Sequence, residues 1–243
     1  LKTLSTSLSI SGSEVKSVTQ ELTVDRPRLW SPETPNLYKA VSQVFVDNQK
    51  MHEYTTTFGL RYFHFDVEKG FSLNGKPTKI IGVCMHHDLG ALGAAVNYRA
   101  MERQLEILKK MGINGIRTSH NPAAPEWLDL CDKMGFIVMT ETFDVCKEIK
   151  ENTPFNYNLY FDEWHKRDIA DHVVRDRNHP SVIMWSIGNE IPEQHGGEKD
   201  TTGRTIARNL VNIVHSLDSR PVTAGLNYVS PENNLYRSKA LDL

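Results

Sequence analysis

Two stretches of this chain stop a helix in the same way. Lys110-Met111-Gly112-Ile113 and Lys133-Met134-Gly135-Phe136 each set a cation, an apolar residue and a glycine ahead of an apolar residue, 23 residues apart. Glycine lets a helix end in the left-handed conformation, and a cation in the last turn complements the helix dipole. A helix that stops and runs straight into a strand, twice at one spacing, is a succession of αβ units. Such units fold by laying parallel strands side by side with the helices outside. The flanks agree with this. Asn97 can cap a helix whose apolar residues Met101, Leu105, Leu108 and Met111 recur at three and four. A second helix is expected over 125–134, and strands over 79–83, 113–118 and 136–140. After a longer loop the pattern predicts a helix over 162–177, a strand over 182–187, a helix over 202–217 and a strand over 221–224. That makes five parallel strands.

The first part of the chain reads differently. Leu4, Thr6, Leu8 and Ile10, then Val18, Gln20, Leu22 and Val24, alternate with period two, the pattern of half-buried strands. A strand over 38–46 leads through Asp47-Asn48-Gln49-Lys50 into another over 51–58, and Pro27, Pro32 and Pro35 forbid regular structure between these elements. Short strands without a helix predict part of an immunoglobulin-like β-sandwich lacking its first strands. In Phe71-Ser72-Leu73-Asn74-Gly75-Lys76 the Asn-Gly pair supplies the two positive-φ residues of a tight hairpin. The expected division is a sandwich over 1–62 and a barrel-type α/β domain over 63–243.

Composition narrows the function classes. Lys plus Arg number 28 against 30 Asp plus Glu, a net charge of −2, so nothing draws the whole chain to nucleic acid. The longest apolar runs are a few residues, such as Ile80-Ile81-Gly82-Val83, where a membrane span needs about 20. Three cysteines, Cys84, Cys131 and Cys146, lack C-x-x-C spacing and read as free thiols rather than a disulfide framework or zinc ribbon. The chain opens at Leu1 in a strand-like pattern, so its natural start and any signal peptide are expected upstream.

Buried parallel strands should run into apolar core, yet these end in polar clusters: His86-His87-Asp88, Arg117 to Asn121, Glu141 to Asp144, Asn189-Glu190 and Asn227. All lie at C-terminal strand ends, the face on which a (β/α)₈ barrel carries its active site. Trp185-Ser186-Ile187-Gly188-Asn189-Glu190 sets an amide and a carboxyl directly after an apolar strand. Burial there would raise the acid's pKa unless a partner stabilised its charge, which makes Glu190 a candidate catalytic acid. No P-loop, Rossmann glycine pattern or G-x-S-x-G elbow is present.

The run from Arg177-Asn178-His179-Pro180-Ser181-Val182 through Ile183-Met184-Trp185-Ser186 to Ile187-Gly188-Asn189-Glu190 resembles the acid/base signature of glycoside hydrolase family 2, the β-galactosidase and β-glucuronidase family. Leu29-Trp30-Ser31-Pro32-Glu33-Thr34-Pro35-Asn36-Leu37-Tyr38, Phe58-Gly59-Leu60-Arg61, Leu73-Asn74-Gly75-Lys76-Pro77 and Ile116-Arg117-Thr118-Ser119-His120-Asn121-Pro122 agree in the same order. The resemblance covers essentially the whole chain. It implies the end of an immunoglobulin-like domain followed by the first five strands of a TIM barrel. It also implies a retaining, exo-acting β-glycosidase, for which two carboxyl groups about 5–5.5 Å apart act as acid/base and nucleophile. By the resemblance, Glu190 is the acid/base and Asn189 hydrogen-bonds the sugar's 2-hydroxyl. Arg117 steadies the nucleophile, while His86, Asp88, His120, Glu141 and Asp144 line the sugar pocket. The family's middle glutamate in the first-strand cluster is His87 here. The nucleophilic glutamate follows the seventh barrel strand and is expected beyond Leu243, so residues 1–243 alone are expected to be inactive.

The Cys84-Met85-His86-His87-Asp88 variant, with Glu141-Thr142-Phe143-Asp144, most resembles β-galactosidases, with β-glucuronidase and β-mannosidase sharing the frame. No cofactor or metal is expected. The partner is a carbohydrate, not nucleic acid or membrane, and open sheet edges predict association with further copies. Relatives that process polysaccharide fragments are often exported, which would place the protein in a periplasm or outside the cell. A metal-dependent hydrolase using His86, His87, His120 and Glu141 is the first rival, weakened because adjacent strand residues face opposite ways. A non-catalytic carbohydrate-binding module is the second. Trp127, Trp164 and Trp185 read as core, the charged run 147–151 as a solvated loop, and His165, His172 and His179 as lacking a carboxylate partner at ligand spacing.

Overall fold

A turn at Asp47 and Asn48, both at positive φ, joins β1 (Tyr38–Val46) to β2 (Gln49–Phe58) in an antiparallel ladder. In this computed structural model, which describes residues 2–150, 155–195, 201–230, 232–237 and 239–242, that ladder is the sheet of the front part. The expected strands over 4–10 and 18–24 carry no ladder. They meet through exposed side chains, Lys2 Nζ to Asp25 Oδ2 at 2.9 Å and Gln20 Nε2 donating to Thr6 Oγ1 at 3.1 Å. Their alternating apolar residues stay exposed. The period-two pattern is there without the backbone pairing that would make it a sheet.

Next comes the small sheet β3 (Phe63–Asp66), β4 (Gly70–Leu73) and β5 (Lys76–Pro77), with Asn74 and Gly75 turning at φ 52° and 77°. The parallel strands then follow: β6 (Gly82–His86), β7 (Gly115–Ser119), β8 (Ile137–Glu141), β9 (Val182–Asn189) and β10 (Val222–Gly225). They lie in the sheet in chain order, each paired parallel with the next. The helices α1 (Tyr98–Lys110), α2 (Pro125–Met134), α3 (Phe161–Asp176) and α4 (Thr202–His215) connect them. These are five strands of a TIM barrel. β9 is buried at every position, as a parallel strand covered on both faces should be. β6, expected as a buried strand from residue 79, instead starts at Gly82 and forms a sheet edge, with Ile80 and Ile81 exposed. Among the described residues it pairs with β7.

Asn97 caps α1, its Oδ1 accepting from the Ala100 N–H at 3.0 Å. The two helix stops do turn left-handed, Gly112 at φ 83° and Gly135 at φ 73°. Beyond that they differ. A Cβ on Gly112 would meet nothing, whereas one on Gly135 would lie 2.3 Å from the Pro32 carbonyl oxygen. The front segment docks here. Trp30 is wholly buried and donates from Nε1 to the Asp132 carbonyl at 2.9 Å. Lys109 Nζ donates to the Gly135 carbonyl at 2.7 Å and sits over the Phe136 ring. Trp30, Phe71 and Leu73 then pack with Ile137, Ile183 and Met184 beneath the sheet, while the larger core, including Leu105, Leu128, Val138, Trp185 and Leu210, lies between sheet and helices. Trp127 and Trp185 are core as expected; Trp164 is 37 % exposed on α3, under the Arg167 guanidinium. Among the described residues no helix is long and apolar enough to cross a membrane.

Candidate active site

Register brings the polar strand ends to one level. Arg117 on β7 pairs with Cys84 on β6 and Met139 on β8, and Glu141 pairs with Ser186 on β9. Glu141 is wholly buried, which a carboxylate tolerates only when its charge is paired and its oxygens are hydrogen-bonded. Both conditions are met. Oε2 accepts from Arg117 Nη2 at 2.8 Å, Arg117 Nε at 3.1 Å and Ser186 Oγ at 2.6 Å. Oε1 lies 2.6 Å from His120 Nδ1, and since a carboxylate only accepts, that nitrogen carries the proton. The Glu141 N–H donates to Thr118 Oγ1 at 2.8 Å. Burial works against the Arg117 charge, but Glu141 outweighs it and raises the arginine above its ordinary value.

Arg117 also reaches across to β9, where Nη2 donates to Asn189 Oδ1 at 2.8 Å. From its other end Asn189 Nδ2 donates to Asp144 Oδ1 at 3.0 Å, and Lys150 Nζ reaches the same oxygen at 2.6 Å. Burial alone would raise the Asp144 carboxyl; the hydrogen bonds from Lys150 and Asn189 outweigh it and hold it below the usual carboxylate range. The backbone of β10 closes the third side. A Cβ on Gly225 would sit 2.4 Å from Arg117 Nη2 and 3.2 Å from Asn189 Oδ1.

Of the residues singled out in the sequence, Arg117, His120, Glu141, Asp144 and Asn189 thus form one hydrogen-bonded lattice. His86 joins it edge-on to His120, ring centres 5.1 Å apart. Asp88 stays apart, its Oδ1 accepting from the Gly90 N–H at 2.6 Å. Glu190 follows directly at φ 47°, its N–H donating to the Gly225 carbonyl at 2.7 Å. Left-handed backbone at a residue with a Cβ costs about 1–2 kcal/mol, so the chain is bent here against preference. The side chain is exposed.

Several supports of the site carry no local signal in the sequence. Lys150, assigned to a solvated loop, is drawn in beside Asp144; Glu151 lies outside the described residues. Buried Glu193 holds that loop, its Oε1 accepting from the N–H groups of Lys147 at 2.7 Å and Glu148 at 2.9 Å. Two of the histidines do have carboxylate partners. His172 is buried behind β8, with Thr142 Oγ1 at 2.9 Å, Thr140 Oγ1 at 3.1 Å and Asp176 Oδ2 at 3.2 Å; burial, outweighing Asp176, keeps its pKa low. His179 Nδ1 lies 2.6 Å from Asp132 Oδ2.

The donor set argues against a metal at the lattice. Arg117 and Ser186 occupy one Glu141 oxygen and His120 the other, so an arginine stands where a cation would bind. His87 Nε2 is turned away, 3.0 Å from the Ala94 carbonyl. Among the described residues Asp129, Asp132 and His179 lie close enough to share an ion, at the opposite end of the sheet, where the Asp132 oxygens already meet His179 and the Ser181 N–H.

The family model described as "Glycosyl hydrolases family 2, TIM barrel domain" matches residues 66–238, and "Glycosyl hydrolases family 2" matches residues 2–61. The chain belongs to glycoside hydrolase family 2. It is 51 % identical to Beta-galactosidase BoGH2A of Bacteroides ovatus, over 93 % of this chain and 30 % of that protein. It is 34 % identical to a Beta-glucuronidase of Bacteroides fragilis, over 71 % of this chain and 25 % of the relative. Among solved structures it superposes on a family 2 member from Bacteroides cellulosilyticus with a TM-score of 0.83 and 42 % identity, covering 89 % of this chain and 27 % of that one. The chain spans about a third or less of the length of these family 2 proteins.

Proposed function

We propose that this chain supplies the acid/base half of a retaining, exo-acting β-glycosidase that cleaves terminal β-galactosides. The observation that carries the reading is the end of β9. Asn189 is anchored from both sides, and the next residue, Glu190, is an exposed carboxyl on backbone bent into the left-handed region. In this reading the division falls near residue 62, between a sandwich-type front and the barrel. Glu190 donates its proton to the departing glycosidic oxygen while a glutamate from beyond Leu243 attacks the anomeric carbon. The C–O bond to the leaving group breaks and a glycosyl ester forms. Glu190 then takes a proton from water, and the resulting hydroxide displaces the ester. Arg117, His86, His120, Glu141, Asp144 and Asn189 form the floor on which the sugar is held, with Asp88 on the rim. Galactosides are preferred over glucuronides because the relative named a β-galactosidase matches at 51 % identity, against 42 % for one named a putative β-glucuronidase and 34 % for one named a β-glucuronidase.

The test is made on the full-length protein carrying this chain, with a panel of aryl β-glycosides. The β-galactoside should turn over fastest. Glu190→Gln should slow substrates with poor leaving groups about 10²–10⁴-fold and activated phenols far less, since only the former need a proton. Azide should restore turnover of the activated substrate. Equal slowing of both classes, or no azide rescue in a folded variant, would remove Glu190 from the role.

A further inference from the structure

We infer that Asp144, backed by Lys150, is a positioning residue that fixes the direction of the Asn189 amide and so sets the donor offered to the hydroxyl next to the anomeric carbon of the sugar. This rests on the reading above, in which Asn189 meets the 2-hydroxyl.

The two ends of a carboxamide have nearly the same shape, so its direction is decided by its partners. Arg117 carries only donors, which makes the atom 2.8 Å from its Nη2 the amide oxygen. Ionised Asp144 only accepts, which puts the amide nitrogen at 3.0 Å from its Oδ1. Turned over, the amide would set N–H against guanidinium N–H and oxygen against carboxylate. Both contacts would become repulsive at once. One N–H is spent on Asp144, which leaves the second as the donor for a ligand oxygen. Arg117 alone would fix the oxygen but leave the nitrogen end without a charged partner.

Asp144 is itself held. Lys150 Nζ lies 2.6 Å from the oxygen that Asn189 uses, keeping the carboxylate charged and in place. The loop bearing Lys150 is pinned through Lys147 and Glu148 to Glu193, three residues after Glu190. The amide's orientation and the loop carrying the acid are therefore tied together.

The experiment uses the full-length protein, an aryl β-galactoside and its 2-deoxy analogue. Losing one charge-assisted hydrogen bond predicts a fall of about tenfold to hundredfold in kcat/KM for Asp144→Ala on the 2-hydroxy substrate. Most of it should fall in kcat, because the 2-hydroxyl contact strengthens in the transition state. The 2-deoxy analogue should lose less than about threefold. Asp144→Asn, whose amide oxygen can still accept, should recover most of the loss, Lys150→Met should show a smaller version of it, and Asp144→Ala combined with Asn189→Ala should cost no more than Asn189→Ala. Equal losses on both substrates, or none on either, would overturn the inference. Should Asn189→Ala itself fail to discriminate the two substrates, the 2-hydroxyl reading fails, and the crystal structure of Asp144→Ala judges the positioning role separately. A turned or disordered Asn189 on an unmoved β9 supports it; an amide still held at Arg117 in the original direction refutes it.

Discussion

Replacing Gly225 by alanine adds one methyl group at the point where β10 passes the Arg117–Asn189 bond. Gly225 is not in the left-handed region, so alanine has no backbone penalty there and the effect is one of space. The new carbon would lie 2.4 Å from Arg117 Nη2, against an ordinary contact of about 3.5 Å. The nitrogen must therefore retreat by about 1 Å. A free arginine end could swing away at little cost. This one is held by Glu141 through Nε and Nη2 and by Asn189. A 1 Å retreat stretches bonds of 2.8 Å past the length at which they still count as hydrogen bonds. Two charge-assisted bonds at about 1.5–3 kcal/mol each are then weakened or lost, one of them to a buried carboxylate. The expected result for Gly225→Ala in the full-length protein is a loss of about 10²-fold in kcat/KM, the size that a 1 Å misplacement near a reacting centre produces. The melting temperature should fall as well. Initial rates on an aryl β-galactoside, a thermal melt and a crystal structure of the variant measure the three quantities. Unchanged rates and melting, with Arg117 still about 3 Å from Asn189 Oδ1, would refute the claim that the lattice needs a bare backbone at this position.

The two helix stops give a paired comparison. Gly112→Ala should cost only the left-handed penalty of about 1–2 kcal/mol, whereas Gly135→Ala adds a clash with the Pro32 carbonyl and should cost about 1–3 kcal/mol more; equal losses in denaturant melts would mean the front segment is not docked there. At the opposite end of the sheet, burial would lower the His179 pKa, but the hydrogen bond and charge of Asp132 outweigh it and raise it. A raised folded-state value stabilises fully below the unfolded value of 6.5 and is lost as pH rises through the folded value. The melting margin of the wild type over His179→Gln should therefore shrink as pH rises above about 6.5, and a margin constant across that range would show that His179 does not titrate with folding.

Most of the barrel part was legible because its signals are local. Asn97 before an apolar three-four pattern, glycine after it and an apolar run next are decided within a few residues, and α1, α2 and the strands between them lie within a few residues of their expected places. The front part was legible only in pattern. Leu4 to Val24 alternates as a strand pair should, but period two encodes neither a partner nor a register, and these residues carry no ladder. The start of β6 was misplaced for a related reason. Ile80-Ile81-Gly82-Val83 has the composition of a strand, yet the Ile81 N–H donates to Asn114 Oδ1 at 2.7 Å and the ladder with β7 begins only at Gly82.

The site divides along the same line. Residues at the C-terminal ends of strands could be named in advance because strands in register bring those ends together whatever the side chains are. What each group does once there depends on partners far away in the chain. Glu141 can be buried because Arg117 lies on the next strand and Ser186 on the other side, and no local property of Glu141-Thr142-Phe143-Asp144 distinguishes the buried carboxylate from the amide-holding one. Lys150 is the sharpest case. Lys147, Glu148 and Lys150 form a run of mixed charge with the look of a solvated loop, and Lys147 does lie near the surface, paired with Asp162. Lys150 is drawn inward because Glu193, on the loop after β9, takes the two N–H groups that precede it. A buried carboxylate on one loop thus decides where a cation on another ends up, and that cation holds Asp144 in the form that Asn189 requires.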